Sequence, residues 1–432
     1  MWNPTTRQER GEWSAWRSET PGTSKGFSPE LTQCSVRFEL RLSAVPPQKQ
    51  ALSSQQFQAR LAETMGVTRV ARVTGLDRTG VEVACAVRPG GHVLQVCNGK
   101  GLTFEDAALG ALFETAELWA AEHVPPSRLV WGTRAELAAQ GEDAWSAEAL
   151  GSAGRMVDPR LWSDSVRCAW RQATELHSGR PCWVPAQGVY CPPASEVALG
   201  PVSVAWTSNG SGAHPDSRRA LLHALLEATE RDQLARTLPG GWTEEVVQRR
   251  MLSPAVLEGS AARTAARART LRSQGFGVYL FDVTPTPKTP GAVGLPVAAA
   301  VLVDEEQGPV PLTAGYACAL GRDEALLRAL LEAAQSRLTD IHGAREDVSP
   351  ADQSAARDFA AACASVRPKR KPEDVPDFSK DSASPARALR RVLNQLRRAG
   401  FTQAAAVTLD APSPGLHVQR VVVPSMRISE LL

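Results

Sequence analysis

The chain has 432 residues, 43% of them apolar and 22% charged, with a formal net charge of +2. This ordinary globular mixture can fill one large core or two or three smaller ones, and its near-neutrality gives no reason to expect nucleic-acid or membrane binding. No apolar run approaches the ~18 residues that span a bilayer, and the polar start MWNPTTRQERGEWSAWRSE lacks the apolar core of a secretion signal, so a cytoplasmic location is expected.

Residues 1–48 read as a variable extension, its first part rich in Gly, Pro, Ser, Thr and charge. Within it VRFELRLSAV (36–45) alternates as a strand would. A single domain is expected over 49–432. SSQQFQARLAETMG (53–66) predicts a short amphipathic helix stopped by Gly66. VTRVARVTG (67–75) and VEVACAVRP (81–89) predict two strands joined by the turn LDRTG. NGKG (98–101) reads as a Gly-rich stretch leading into a long helix over about 104–123. SVAWTSNGSG (203–212) reads as a strand running into a loop, followed by a helix over about 216–237 and another near 253–273. Strands are expected at GVYLFDV (277–283) and PVAAAVLVD (296–304), then a third long helix over about 322–340. Residues 366–386 have the Pro, Lys, Asp and Ser of a linker-like insertion. The following helix, 387–398, sets Leu389, Val392, Leu393 and Leu396 on one stripe opposite its arginines, the pattern of a solvated surface helix rather than a nucleic-acid binder. FTQAAAVTLD and VQRVVVPSM close the chain, and the loose alternation of strands and helices predicts a mixed α/β (α+β) fold.

The eight cysteines, Cys34, Cys85, Cys97, Cys168, Cys182, Cys191, Cys318 and Cys363, form no CxxC pair. Zinc-finger and thioredoxin-like chemistry is therefore unsupported, and buried reduced thiols are expected.

Three segments nearly repeat: ALFETAE (111–117), ALLEATE (224–230) and ALLEAAQ (329–335). Each lies in a predicted helix. Each follows a loop glycine, in Asn98-Gly99, Asn209-Gly210 and Gly315, some 16 to 18 residues before its first glutamate. The spacing is too irregular for a solenoid and suggests one loop–helix element used three times around a shared site. Glu114 and Glu117, Glu227 and Glu230, and Glu332 and Gln335 are each three apart, so each pair projects from one side of its helix. Like charges so placed repel by a few tenths of a kcal/mol when exposed, and far more when buried. Three near-identical copies, apolar positions included, are hard to attribute to solvated faces and call for a counter-charge. Mg²⁺, which takes hard oxygen ligands together with nucleotide phosphates, is the natural one. Arg231 and Arg337 beside the repeats, and Lys100 in the Gly-rich loop, could pair with phosphate oxygens. Asn209 could add a polar group near the same point. No P-loop, kinase, H-E-x-x-H or G-x-S-x-G motif is present.

With these pieces in place, the sequence resembles the YcaO family. The matching segments are 67–89, 98–122, 208–232, 325–347 and 418–426, in the right order. The resemblance implies a non-P-loop ATP site built by several helices around Mg²⁺. It implies metal ligation by Glu114, Glu117, Glu227 and Glu230, and nucleotide contacts from Asn209, Arg231, Gln335 and Arg337. Lys100 and Arg69 would line the phosphate or substrate side. Glu227, Arg231 and Gln335 would be closest to the chemistry, and His223 is expected to pack. TGLDRTG followed by GKG, with a terminal VxRVVVP, looks more like the branch that works with a TfuA partner and forms thioamides. That implies a ribosomal precursor peptide or protein as substrate and a TfuA-like partner for sulfur delivery or peptide recognition, and it admits a homodimer. Some positions depart from the pattern. Gly110 stands where a Ser is frequent, Leu118 where azoline-forming members often have Arg, and a Gly-Thr-His-Arg type string is missing before residue 53. The ending PSMRISELL is not the Pro-rich tail of azoline formers. The alternatives are an azoline-forming cyclodehydratase or an inactive scaffold that binds peptide.

Overall fold

The computed structural model describes residues 54–158, 160, 162–193, 195–345 and 353–429. The strand candidate 36–45, and the rest of 1–48, lie outside the described residues. In chain order the elements are α1 (Ser54–Met65), β1 (Arg69–Arg72), β2 (Glu82–Val87), β3 (Val96–Gly101), α2 (Phe104–Glu122), β4 (Leu129–Gly132), α3 (Arg134–Ala139), β5 (Gly154–Met156), β6 (Cys168–Glu175), β7 (Pro181–Pro185), β8 (Val204–Trp206) and β9 (Ser211–His214). There follow α4 (Ser217–Thr237), α5 (Glu244–Arg250), α6 (Leu257–Ser260), α7 (Ala262–Ser273), β10 (Phe276–Asp282), β11 (Val297–Asp304), β12 (Leu312–Cys318), α8 (Arg322–His342), α9 (Gln353–Ser365), α10 (Pro385–Arg398), β13 (Ala405–Leu409) and β14 (His417–Val422).

The mixed α/β class is as expected. Three antiparallel sheets carry the fold: β1-β2-β3, β10-β11-β12, and β4-β6-β13-β14-β9 with β7 on β6; β5 and β8 form a separate pair. Two expected loops are strands. NGKG belongs to β3, paired with β2, and SNGSG runs into β9, paired with β14. β12, which the sequence did not announce, pairs with β11 from Val297↔Cys318 to Val303↔Leu312.

The three sheets and three long helices alternate in a ring. In β2, Ala84 and Ala86 face the core that holds α2, while Val83 and Cys85 face the one that holds α8. In β10 and β11, Phe276, Val278, Ala298 and Ala300 face α8, and Phe281, Val297, Ala299 and Val301 face α4. Ala213 of β9 and Val418 of β14 pack toward α2, and Val421 toward α4. Each sheet is thus apolar on both faces, as strands covered by helices on both sides must be. The order around the ring is α2, the β9 sheet, α4, the β12 sheet, α8, the β3 sheet, and back to α2.

Local signals fix the helix ends. The Thr103 hydroxyl accepts the Asp106 N–H at 3.2 Å at the start of α2, and Asp216 accepts the Arg218 and Arg219 N–H groups at the start of α4. α8 stops at Gly343, whose φ of 59° is the left-handed cap that glycine takes most easily. Residues 366–386, linker-like in composition, are held down: Val375 is 1% exposed and Arg370 Nε donates to Asp282 at 2.8 Å. No described helix is long and apolar enough to cross a membrane.

Candidate functional site

One strand glycine seats each of the three helices. A Cβ on Gly99 would lie 2.0 Å from the Ala107 carbonyl oxygen and 2.2 Å from the Ala111 nitrogen of α2. On Gly212 it would lie 2.3 Å from the Ala220 oxygen and 2.9 Å from the Ala224 nitrogen of α4; on Gly315, 2.4 Å from the Ala329 oxygen and 2.2 Å from the Ala333 nitrogen of α8. Only glycine allows backbone to meet backbone so closely. The counterpart of Gly99 is therefore Gly212, not Gly210 as the spacing suggested. Gly210 instead turns the chain before β9 at φ +84°, against Val421. In α8 the seated residues are Ala329 and Ala333, one turn further along than the repeat predicts, since Ala329 aligns with Ala111 and Ala224.

This seating turns the repeated acids toward the middle of the ring. The Glu117 Oε1 of α2 accepts the Ala213 N–H of β9 at 2.7 Å. The Glu230 Oε2 of α4 accepts the Cys318 N–H of β12 at 3.0 Å. The Glu332 Oε2 of α8 accepts from the Lys100 Nζ of β3 at 2.9 Å, and two turns on, Thr339 accepts from the Asn98 Nδ2 at 2.8 Å. Each helix thus reaches the strand that leads into the next, and the contacts close the ring.

The charges are out of balance. Burial, then the charges of Glu227 and Glu114, hold the Glu117 carboxyl well above its usual range, against the Ala213 N–H and Arg420. Burial pushes Glu227 up to about 7, opposed by Arg231 and reinforced by Glu230. Burial and then Glu332 raise Glu230, against Arg231 and the Cys318 N–H. Burial raises Glu114, with Arg345 and Lys100 opposing and Glu332 reinforcing. Glu332 alone is held low: burial would raise it, but Lys100, Arg231 and Arg328 outweigh burial. Four carboxyls that resist ionisation in one cleft create demand for a cation.

Two buried polar atoms in the cleft find no hydrogen-bond partner: Asn209 Oδ1 and Arg231 Nε, the latter 3.9 Å from the Glu230 carboxylate. The other end of Asn209 is fixed, its Nδ2 donating to the Ser152 oxygen at 2.9 Å. Among the described residues no three acidic, His or Cys side chains close tightly enough to hold an ion unaided.

Of the residues named from sequence, Glu114, Glu117, Glu227, Glu230, Arg231 and Lys100 interact with one another here, and Gln335 lies one turn beyond Glu332 on α8. His223, one turn before Glu227, keeps part of its surface exposed, yet burial of its ring, then Arg328 and Lys100, lowers its imidazole to about 3. Two residues are elsewhere. Arg337 is 2% exposed, and its guanidinium is engaged by Asp77 at 2.8 Å, Asp304 at 2.7 Å and the Val310 oxygen, over the Phe276 ring. It faces away from the cleft and is not available to a nucleotide. Arg69 is exposed on the edge strand β1, two strands from β3 and four residues along from the row of Lys100, ~13 Å at strand rise.

Three cations went unnoticed in the sequence. Arg328 precedes Glu332 by one turn and acts on Glu230, Glu332 and His223. Arg345 is the leading positive charge on Glu114. Arg420, wholly buried, donates to the Gly188, Asn209, Ala153 and Thr207 oxygens at 2.6–3.2 Å and to Ser211 Oγ at 3.2 Å. It so gathers the SNG loop under Glu117 and Glu227. The signal for it was a lone Arg in the apolar run VQRVVV, a charge that needs a built environment.

A family profile described as YcaO cyclodehydratase, binding ATP and Mg²⁺, matches residues 98–427. An uncharacterized protein in the tfuA 3′ region of Rhizobium leguminosarum bv. trifolii is 30% identical over 374 residues, covering 84% of each chain. The structure of YcaO from Methanopyrus kandleri, bound with AMPPCP and Mg²⁺, superposes with a TM-score of 0.62 at 21% identity, over 86% of this chain and 89% of that one. A heterocyclase in complex with substrate and cofactor superposes with a TM-score of 0.61 at 20% identity, over 86% of this chain but only 52% of that longer one. At such identities the two structures show a shared fold.

Proposed function

The chain belongs to the YcaO family, and from that premise we propose that it uses ATP to activate a peptide backbone amide by phosphorylating its carbonyl oxygen. The observation that carries this is the ring of raised carboxyls on α2 and α4, with orphaned donor and acceptor atoms at Arg231 and Asn209 beside it. Glu114, Glu117, Glu227 and Glu230 would hold Mg²⁺, and Asn209, Arg231 and Gln335 would contact the nucleotide, with Lys100 on the phosphate side. Bound Mg²⁺ would supply charge neutralisation for the phosphates.

In the reaction a nucleophile adds to the amide carbon, and the resulting oxyanion takes the γ-phosphoryl of ATP with ADP leaving. The carbon–oxygen bond then breaks, expelling phosphate with the former amide oxygen, so the nucleophile's atom replaces it. The chain's work is positioning and electrostatic. Arg231 offsets charge developing on the phosphates. Lys100 would leave Glu332 for a phosphate oxygen. Arg420 holds the Asn209 loop in place.

With sulfide as nucleophile the product is a thioamide. The relative from the tfuA 3′ region supports this outcome and a TfuA-type partner that delivers sulfur or recognises peptide. Ring closure by a Cys, Ser or Thr side chain is the second reading, favoured by the family's description as cyclodehydratase. Mass spectrometry of a ribosomal peptide co-expressed with the chain and such a partner separates them: a gain of about 16 Da marks oxygen-to-sulfur exchange and a loss of about 18 Da marks cyclodehydration. An unchanged mass with wild-type protein, MgATP, sulfide and the partner present would sink both.

A further inference from the structure

α7 carries four arginines, Arg263, Arg267, Arg269 and Arg272. Two have work within the fold: Arg269 pairs with Glu258, and Arg272 donates to the Val278 oxygen at 3.0 Å. Among the described residues, the guanidinium groups of Arg263 and Arg267 have neither an ion-pair nor a hydrogen-bond partner. They are four apart on one helix, so they share a face and repel by a few tenths of a kcal/mol. That face lines a groove of about 320 Å³ together with Ala266, Thr270, Leu102 and Leu327.

The groove opens beside the cleft already described. Leu102 is two residues from Lys100, and Leu327 adjoins Arg328. Leu102 is 48% exposed, while Leu327 at 3% forms a firm floor. The nearby acids are occupied. Asp323 accepts the Arg263 and Thr264 N–H groups at 3.2 and 3.0 Å, capping α7, and Glu324 lies 4.0 Å from Arg328. An apolar floor under two uncompensated guanidiniums suits a carboxylate carried on a peptide, with the arginines gripping the acid and Leu102 the aliphatic stem.

We propose that this groove is a subsite for acidic residues of the peptide substrate, flanking the amide that is modified. The proposal rests on the peptide-modifying activity inferred above. It names the substrate class: peptides with Glu or Asp near the target amide.

The test uses the full chain, a fluorescein-labelled glutamate-rich dodecapeptide and its glutamine counterpart, with binding read by anisotropy in the absence of ATP. The wild type should bind the glutamate peptide about tenfold more tightly, a preference that shrinks with salt. Arg263→Glu with Arg267→Glu should abolish the preference, and Arg267→Gln should reduce it, with basal ATP hydrolysis unchanged. Equal binding of the two peptides by the wild type, or a preference that survives in the double variant, overturns the proposal. So does loss of inorganic tripolyphosphate binding in the variant with the preference intact, since the arginines would then serve nucleotide phosphates. Because binding is read without turnover, an intact preference with no mass change in product sinks the catalytic assignment and leaves the subsite standing.

Discussion

Glu117 and Glu230 make the same bond from different helices: each caps a backbone N–H of the strand leading into the next one, Ala213 at 2.7 Å and Cys318 at 3.0 Å. The second glutamate of the first two repeats therefore has one oxygen fixed by the fold and one left for the cleft. A side chain so held is preorganised, which is what a metal ligand or charge-stabilising group requires.

Glu227, without such a bond, should make the stability of the chain depend on pH. Its ordinary value of 4.5 becomes about 7 in the folded chain. Between those values the folded state keeps a proton the unfolded state has lost, so stability falls as pH rises through that window, and the full penalty applies above pH 7. Without metal, Glu227→Gln should raise stability at pH 8 by about 1–2 kcal/mol, after allowance for water in the cleft, and by little at pH 4. Mg²⁺ must displace the proton, so its affinity for the wild type should rise from pH 6 to pH 8. Thermal melts and isothermal titration read both. A wild type whose metal affinity is flat over that range would contradict the assignment.

The same substitution should cost at least about a hundredfold in ATP-dependent turnover, since one ligand oxygen and its charge are lost together. Steady-state ATP hydrolysis with peptide present measures it. A folded, more stable and inactive variant is the expected combination.

Gly99 and Gly110 face each other across the α2 seat and should behave oppositely. Gly99→Ala forces its Cβ into the Ala107 carbonyl, so it should cost more than about 3 kcal/mol or prevent folding. A Cβ on Gly110 meets nothing nearer than 3.4 Å, so Gly110→Ala should gain roughly 0.5–1 kcal/mol from helix propensity. Urea unfolding of the two variants decides.

Arg337 and Lys100 separate architecture from ligand binding. Arg337→Met leaves Asp77 buried without its guanidinium, while Asp304 keeps Arg78, and should destabilise by about 3 kcal/mol. Lys100→Met removes a half-buried pair with Glu332, so it should cost under about 1 kcal/mol of stability yet weaken nucleotide binding about tenfold or more. Melting temperature and nucleotide titration should therefore rank the two variants in opposite orders.

The long helices were legible because their periodicity, caps and Gly stops agree, and the acids because they recur in near-identical strings. The strand identity of NGKG and SNGSG was not legible. Their glycines look like loop residues by composition, and only the opposing helix explains why a strand needs them. Gly210 was mistaken for Gly212 for the same reason, since spacing alone cannot tell a turn glycine from a seat. Arg337 misled because it sits only two residues past Gln335 on the same helix. Its partners lie 260 residues away, at Asp77, and 33 residues away at the end of β11, at Asp304, so no local pattern reveals them. Arg420 was missed because its acceptors are backbone oxygens, which carry no sequence signature.

Three identical helical segments around a point would offer an incoming ligand three equivalent orientations. The one-turn slip of α8 on Gly315 removes that degeneracy. Two sides of the enclosure stay doubly acidic, while the third offers one carboxylate already tied to an ammonium, followed by an amide. An asymmetric ligand can then dock in a single direction, and the polarity of the chamber goes with the longer run from glycine to seat in the third copy, 14 residues from Gly315 to Ala329 against 8 from Gly99 to Ala107 and from Gly212 to Ala220.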